Sequence, residues 1–219
     1  MKQYRIRRAS ASPPLNGDAS AGPWPQADAL KIDEYPWYTA GAKQATAVRA
    51  LYDDEALYLQ FLCEDRHIFA EVTELNGPVC KDSCVEFFAT IEPDRRPDYF
   101  NVEFNCCGTR LGKWGSQRHG RKDITPAQAE RIEVATSVPG PTKADSPNDD
   151  GWWLAVKLPL DLLSEFTGVR VRPASGTRWR GNFYRCGGRS DPQLACWNII
   201  EWARPDYHRP EFFGEIVFE

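Results

Sequence analysis

Apolar and polar positions alternate along most of this chain with a period of two. Ala47-Val48-Arg49-Ala50-Leu51-Tyr52 and Ala56-Leu57-Tyr58-Leu59-Gln60-Phe61-Leu62-Cys63 flank the acidic stretch Asp53-Asp54-Glu55. Two β-prone runs joined by a short turn predict an antiparallel hairpin. Residues 84–91 and 99–106 form a second predicted pair, joined by Glu92-Pro93-Asp94-Arg95-Arg96-Pro97-Asp98, which is rich in turn formers. Further strands are predicted over 132–138, 152–158, 180–186 and 214–218. Helical signals are few. Pro159-Leu160-Asp161-Leu162-Leu163-Ser164 predicts a short helix with proline near its first position. Thr125-Pro126-Ala127-Gln128-Ala129-Glu130 reads as one helical turn or as a loop. Many strands with few helices predict an all-β fold, a β-sandwich or a barrel, with one or two short helices. No internal repeat is visible. Residues 1–219 read as a single domain, with 1–14 an irregular arm containing Ser10-Ala11-Ser12-Pro13-Pro14 and 139–150 a surface loop.

Composition narrows the partners. The chain has 219 residues and a formal net charge of -4, with arginines scattered rather than clustered. Arg5, Arg7 and Arg8 make only a small basic start, so no nucleic-acid groove is expected. No apolar run approaches the roughly 20 residues of a membrane helix. The opening MKQYRIRRASASPP lacks the apolar segment of a secretory signal. The chain as written is therefore expected in the cytoplasm, or outside the cell if a leader has been trimmed. The seven cysteines are odd in number and contain no C-x-x-C pair, which argues against a zinc site. Cys63, Cys84 and Cys186 sit within apolar strand patterns and are expected as small buried hydrophobes. Cys80 and Cys84 flank Asp82, where a redox or metal role is the alternative.

The candidate chemistry is polar and aromatic. Three histidines, His67, His119 and His208, accompany no G-x-S-x-G elbow, so a nucleophilic triad is not supported. Asp82 and Glu86 are four apart on a predicted strand, on one face, with Cα atoms about 13 Å apart at strand rise. A glycosidase-like acid pair, a ligand or ion surface and a solvent-facing stripe all remain open there. Calcium takes oxygen ligands at turns, and Asp53, Asp54, Asp65, Asp94 and Asp98 fall in predicted turns without an EF-hand spacing. There are eight tryptophans and eight tyrosines. Trp152-Trp153 straddles both faces of one strand, and Trp197 and Trp202 bracket residues close to Tyr207. Aromatic rings beside amides and charges suit sugars, whose C–H faces stack while their hydroxyls take donors and acceptors.

The order of these motifs resembles the family 9 carbohydrate-binding modules. The likeness begins at Leu15-Asn16-Gly17-Asp18 and Trp24. It continues through 48–58, Cys63-Glu64-Asp65, Asp82-Ser83-Cys84-Val85-Glu86-Phe87-Phe88 and Gly181-Asn182-Phe183-Tyr184-Arg185. It closes at Trp197 and Pro210-Glu211-Phe212-Phe213-Gly214. The resemblance implies an all-β, two-sheet antiparallel β-sandwich of jelly-roll or immunoglobulin-like type, non-catalytic binding of a saccharide or glycan chain end between two aromatic side chains, and structural calcium. The second aromatic position is matched by Tyr207, whose ring is expected to lie open to solvent, and the first falls at or near Cys80. Glu86 matches the family's hydrogen-bonding glutamate. Arg185, Asn182 and Asn101 fall where other polar contacts are expected, Trp197 is a further candidate ligand contact, and Asp65 is a candidate calcium ligand.

Two other functions compete with saccharide binding. One is a glycoside-active hydrolase using Asp82 and Glu86. The other is a protein-interaction sandwich whose sugar site has decayed. Haem, bound by a related group of sandwiches, is disfavoured because Met1 is the single methionine.

Overall fold

The computed structural model describes every residue except Lys143, Asp145, Pro147 and Ser190. The first three belong to the loop expected over 139–150 and so lie outside the described residues. The strands are β1 (Gln3–Arg8), β2 (Leu30–Ile32), β3 (Thr46–Tyr52), β4 (Ala56–Glu64), β5 (Ser83–Thr90), β6 (Tyr99–Asn105) and β7 (Arg110–Gly115). They continue with β8 (Lys122–Asp123), β9 (Glu133–Thr136), β10 (Gly151–Pro159), β11 (Arg178–Gly187), β12 (Leu194–Cys196) and β13 (Gly214–Phe218). Two short helices, α1 (Pro126–Ala129) and α2 (Leu160–Thr167), interrupt them.

Both predicted hairpins form. β3 pairs antiparallel with β4 from Tyr52↔Leu57 to Thr46↔Cys63. Asp53 closes that turn by accepting the Glu55 and Ala56 backbone N–H groups at 2.8 and 2.9 Å. β5 pairs antiparallel with β6 across the 92–98 loop. α1 is a capped turn, with Thr125 and Gln128 capping each other's backbone. α2 starts after Pro159, which occupies the cap position, and ends at Gly168 with φ 70°.

The strands run β8-β7-β6-β5-β11-β13-β1-β3-β4-β10-β9, with β12 added to β11 and β2 to β3. This is a curled mixed sheet rather than the purely antiparallel arrangement expected. The departure comes from β1, which runs parallel to both neighbours. Residues 3–6 pair with β13 and Arg7 and Arg8 with β3, so one strand passes from one half of the sheet to the other. The expected irregular arm over 1–14 is corrected at the same place. Tyr4 and Ile6 are buried while Gln3, Arg5 and Arg7 face outward, an alternation obscured in sequence by its arginines. Those arginines are paired: Arg5 with Glu219 at 3.3 Å, Arg7 with Asp28 at 2.8 Å and Arg8 with Asp54 at 2.5 Å.

The two halves of the curled sheet enclose one apolar core, and a β-sandwich fits this arrangement. Phe87 stacks on Phe183 at 4.6 Å, and Phe183 meets Phe61 from the opposite half at 6.4 Å. Trp24, Trp152, Trp179 and Trp197 are all buried, so half of the tryptophans serve packing. Trp153, next to Trp152, points the other way, as strand alternation requires. Cys63, Cys84 and Cys186 are buried and unpaired. No helix among the described residues is long and apolar enough to cross a membrane.

Candidate functional site

Alternation along β5 divides its side chains between two environments. Val85, Phe87 and Ala89 enter the core between the sheet halves, while Cys84 and Phe88 join a second apolar cluster on the outer face. Glu86 shares the parity of Cys84 and Phe88. The ladder places Glu103 of β6 directly opposite Glu86 on one side and Tyr184 of β11 opposite it on the other. Residues 194–213 fold over this face and roof it. Between roof and sheet is a cavity of about 180 Å³. Glu86, Glu103 and Cys186 line it from the strands. Cys80, Tyr207 and His208 line it from the covering segments, and Arg118 and Asp206 also contribute.

The two carboxyl groups are 2 and 5% exposed. Burial, with Glu103 adding repulsion, pushes Glu86 well above the usual carboxylate range. Burial lifts Glu103 to about 7, opposed by the Asn101 side-chain amide, which donates to its Oε1 at 2.7 Å. Like charges this close disfavour double ionisation, so near neutrality the pair retains a proton. The Cys186 thiol donates to Glu86 Oε1 at 3.2 Å.

His208 is held neutral. Burial, then the Arg121 and Arg118 guanidiniums, depress it to about 4. Its Nδ1 lies 3.0 Å from the Tyr99 hydroxyl and 3.4 Å from an Arg121 guanidinium nitrogen. Arginine only donates, so Nδ1 accepts and the ring proton sits on Nε2. His208 thus lines, as a neutral imidazole, a cavity floored by carboxyl groups.

The expected site residues separate into three groups. Glu86 and Tyr207 line the cavity, together with Cys80. Asn101 lies behind it, fully buried, orienting Glu103. Arg185, Asn182 and Trp197 are elsewhere. Arg185 follows Tyr184 on β11 and so points to the opposite face, where it forms a buried ion pair with Asp65 and lies 5.3 Å from the Trp152 ring. Asn182 exchanges hydrogen bonds with the Asn198 backbone, donating to its carbonyl and accepting from its N–H, both at 2.9 Å. Trp197 packs edge-on against Tyr4 and Phe183 in the core.

Tyr207 also differs from expectation. It is 9% exposed rather than open to solvent. Its ring stacks on Tyr184 at 4.1 Å and 12°, and its hydroxyl donates to the carbonyls of Arg185 and Ala195 at 2.9 and 3.1 Å. The ring is a wall of the cavity, not a free platform.

Calcium does not fit at Asp65. The carboxylate is fully buried and accepts from the His67 backbone, the Ser83 hydroxyl, the Trp152 indole and Arg185. A guanidinium already neutralises it. Among the described residues no three acidic, histidine or cysteine side chains converge as a metal site. Asp82 is likewise occupied: its oxygens accept from the Glu71 and Val72 backbones and the Asn105 side chain at 2.8–3.2 Å. It precedes β5 and does not share the cavity with Glu86.

Glu103 and His208 were not among the expected site residues. Folding the chain about the middle of the 92–98 loop sets Glu86 opposite Phe104, one residue from its observed partner Glu103, and a slip of one residue moves a side chain to the other face. His208 carried no local signal, since its place depends on how the 194–213 segment folds back.

The sequence profile of carbohydrate-binding family 9 matches residues 23–218. The chain belongs to carbohydrate-binding family 9. Among curated proteins, none matches the sequence at a significant level. A solved Bacteroides uniformis structure, described as a candidate carbohydrate-binding protein, is 25% identical to the family 9 chain with a TM-score of 0.86. It covers 100% of this chain and 99% of its own. Two family 9 modules from Caldicellulosiruptor kristjanssonii share the fold. One, in complex with cellotriose, has 15% identity and a TM-score of 0.65, covering 100% of this chain and 94% of its own. The other, in complex with glucose, has 16% identity and a TM-score of 0.59, covering 98 and 95%.

Proposed function

We propose that this family 9 chain binds a saccharide, without cleaving it, in the cavity over Glu86 and Glu103. The observation that carries the reading is the in-register pairing of these two buried carboxyl groups beneath Tyr207 and Cys80. A sugar hydroxyl is both donor and acceptor. A carboxyl pair holding one proton offers both functions. Hydrogen bonds to the ionised partner are the stronger ones. Tyr207 supplies an apolar wall for the C–H face of a ring. Cys80, at the position where the family resemblance sets an aromatic, supplies much less. The relatives' complexes with glucose and cellotriose support the ligand class.

The size of the cavity suits one ring or chain end. Isothermal titration calorimetry against gluco-, xylo- and manno-configured sugars tests the reading. Saturable heat with at least one series, lost in Glu86→Ala, is the expected result. The absence of heat with every sugar overturns it.

The carboxyl pair also favours a second reading, hydrolysis, because a raised glutamate can act as a general acid. Two carboxyl groups on adjacent strands approach a ligand from one side, whereas glycosidase carboxyls flank the scissile bond. This geometry supports binding over cleavage. Release of a chromogenic leaving group from an aryl glycoside, abolished in Glu103→Gln, would reverse that preference.

A further inference from the structure

The floor of the cavity holds two acids and no cation. Glu86 and Glu103 line it, almost wholly buried, and among the described residues neither forms an ion pair. Each carboxyl has one protein partner. The Cys186 thiol donates to Glu86 Oε1 at 3.2 Å, and the Asn101 amide donates to Glu103 Oε1 at 2.7 Å. Among the described residues no donor reaches the second oxygen, Oε2, of either acid.

The other ionisable groups around the pair are neutral or engaged elsewhere. Arg118 pairs with Asp206 at 3.2 Å, and Asp206 also takes Arg209 at 2.9 Å. Lys113 pairs with Asp123. Arg121 donates to the carbonyls of Tyr99 and Lys113 at 2.9 and 3.1 Å. Arg121 and Lys113 act on Glu103 only through space, and burial outweighs them. Burial raises the thiols of Cys80, Cys84 and Cys186 and the phenols of Tyr184 and Tyr207, so all five stay uncharged. His208 is neutral. The charge that the protein leaves uncompensated in this cavity is therefore negative.

Buried like charges without a counter-ion are costly, and a ligand that brings the counter-ion relieves that cost as it binds. Calcium does not meet the need. It takes six to eight oxygens, and no three metal-binding side chains converge among the described residues. An alkylammonium group does, with three N–H donors and no acceptor. Residues opposite each other on a ladder have Cβ atoms about 5 Å apart, so one ammonium can span both carboxyls. Such hydrogen bonds, charged on both sides, are the strong ones. The space above the floor suits a ring rather than a bare amine: it is about 180 Å³, with the Tyr207 ring as an apolar wall.

We infer that the cavity selects an amino sugar, a pyranose with a free ammonium group, seated with that group over the Glu86–Glu103 pair. This rests on the saccharide reading above and names the class of sugar.

Titration calorimetry at pH 6.5, where the amines are charged, tests the inference. The ligands are glucosamine, galactosamine and mannosamine, each beside its neutral hexose and its N-acetyl derivative, and ethanolamine as an amine without a ring. At least one amino sugar should bind roughly tenfold or more tightly than its neutral hexose and its N-acetyl derivative, the step expected when a neutral hydrogen bond becomes a charge-assisted one. Ethanolamine should bind far more weakly than that amino sugar. Glu86→Gln and Glu103→Gln keep the shape of the floor and remove one charge each, so the ratio of amino-sugar to neutral-sugar affinity should fall toward one. Circular dichroism checks that the variants fold, and the parent's own selectivity decides the matter if they do not. Neutral sugars binding the parent as tightly as every amino sugar overturns the inference and leaves the saccharide reading standing. A preference that survives both variants, or ethanolamine matching the amino sugar, also overturns it. No binding of any sugar by the parent overturns the cavity reading, and the amino-sugar inference with it.

Discussion

Glu86 and Glu103 lie directly opposite each other across the β5–β6 ladder, both almost wholly buried and both raised above the normal range of a carboxylate. Like charges in register across a ladder destabilise it. Their retention under a small cavity marks the place where this fold departs from pure packing.

That departure gives stability a defined pH dependence. The folded value of Glu103, about 7, lies above the unfolded value near 4.3. Its contribution is therefore fully present below about pH 4 and is lost as pH rises through about 7. Glu103→Gln keeps an acceptor for Asn101 and removes the titration. Urea melts at pH 5 and pH 8 should show the parent losing on the order of 3 kcal/mol more than Glu103→Gln over that interval.

His208 works in the opposite direction. Its folded value of about 4 lies below the unfolded 6.5. Stability tied to its neutral form is present above pH 6.5 and falls away as pH drops toward 4. His208→Gln should flatten the acid limb of the stability profile and leave the limb above pH 7 unchanged, as followed by thermal melts from pH 4 to 8.

Cys80 is an exposed wall of the cavity with little stacking area. Cys80→Trp should raise saccharide affinity roughly threefold to tenfold by adding an aromatic contact. Calorimetry on the variant and the parent checks this. An unchanged affinity, with the fold intact, would show that position 80 does not touch the ligand.

The Tyr207 hydroxyl is engaged by two protein carbonyls, so it serves the roof rather than the ligand. Tyr207→Phe should cost about 1–3 kcal/mol in denaturant melts, from unsatisfied buried acceptors. Its sugar affinity should stay within about twofold of the parent. A large loss of affinity at unchanged stability would place the hydroxyl in the binding site.

Arg185 faces away from the cavity and neutralises Asp65 inside the fold. Arg185→Met should destabilise by roughly 3–5 kcal/mol, because Asp65 would be left as a buried unpaired charge. Denaturant melts should register the loss. At temperatures where the variant remains folded, sugar binding should match the parent.

The period-two pattern was enough to place both central hairpins and the 214–218 strand, and the proline before Leu160 to place α2, because alternation, turn chemistry and helix starts are local; residues 125–130 stayed open between a helical turn and a loop. It failed at β1, whose arginines hide an alternation that only the pairing of Tyr4 with Ile216 and Arg7 with Leu51 makes meaningful. Parallel partners supplied by the far end of the chain leave no turn signal. The same period could have separated Asn182 from Arg185, since residues three apart on a strand face opposite ways.

From its residues alone, the chain determined a strand-rich fold and its family resemblance, and that resemblance singled out Glu86 and Tyr207. These follow from side-chain period and motif order, which survive without coordinates. Only the folded molecule decided that Arg185 belongs to Asp65, that Glu103 and His208 join Glu86, and that Tyr207 is a wall while Trp202 is exposed. Each of those outcomes depends on which distant segment covers a given sheet face, and burial by a remote segment leaves no mark on local sequence.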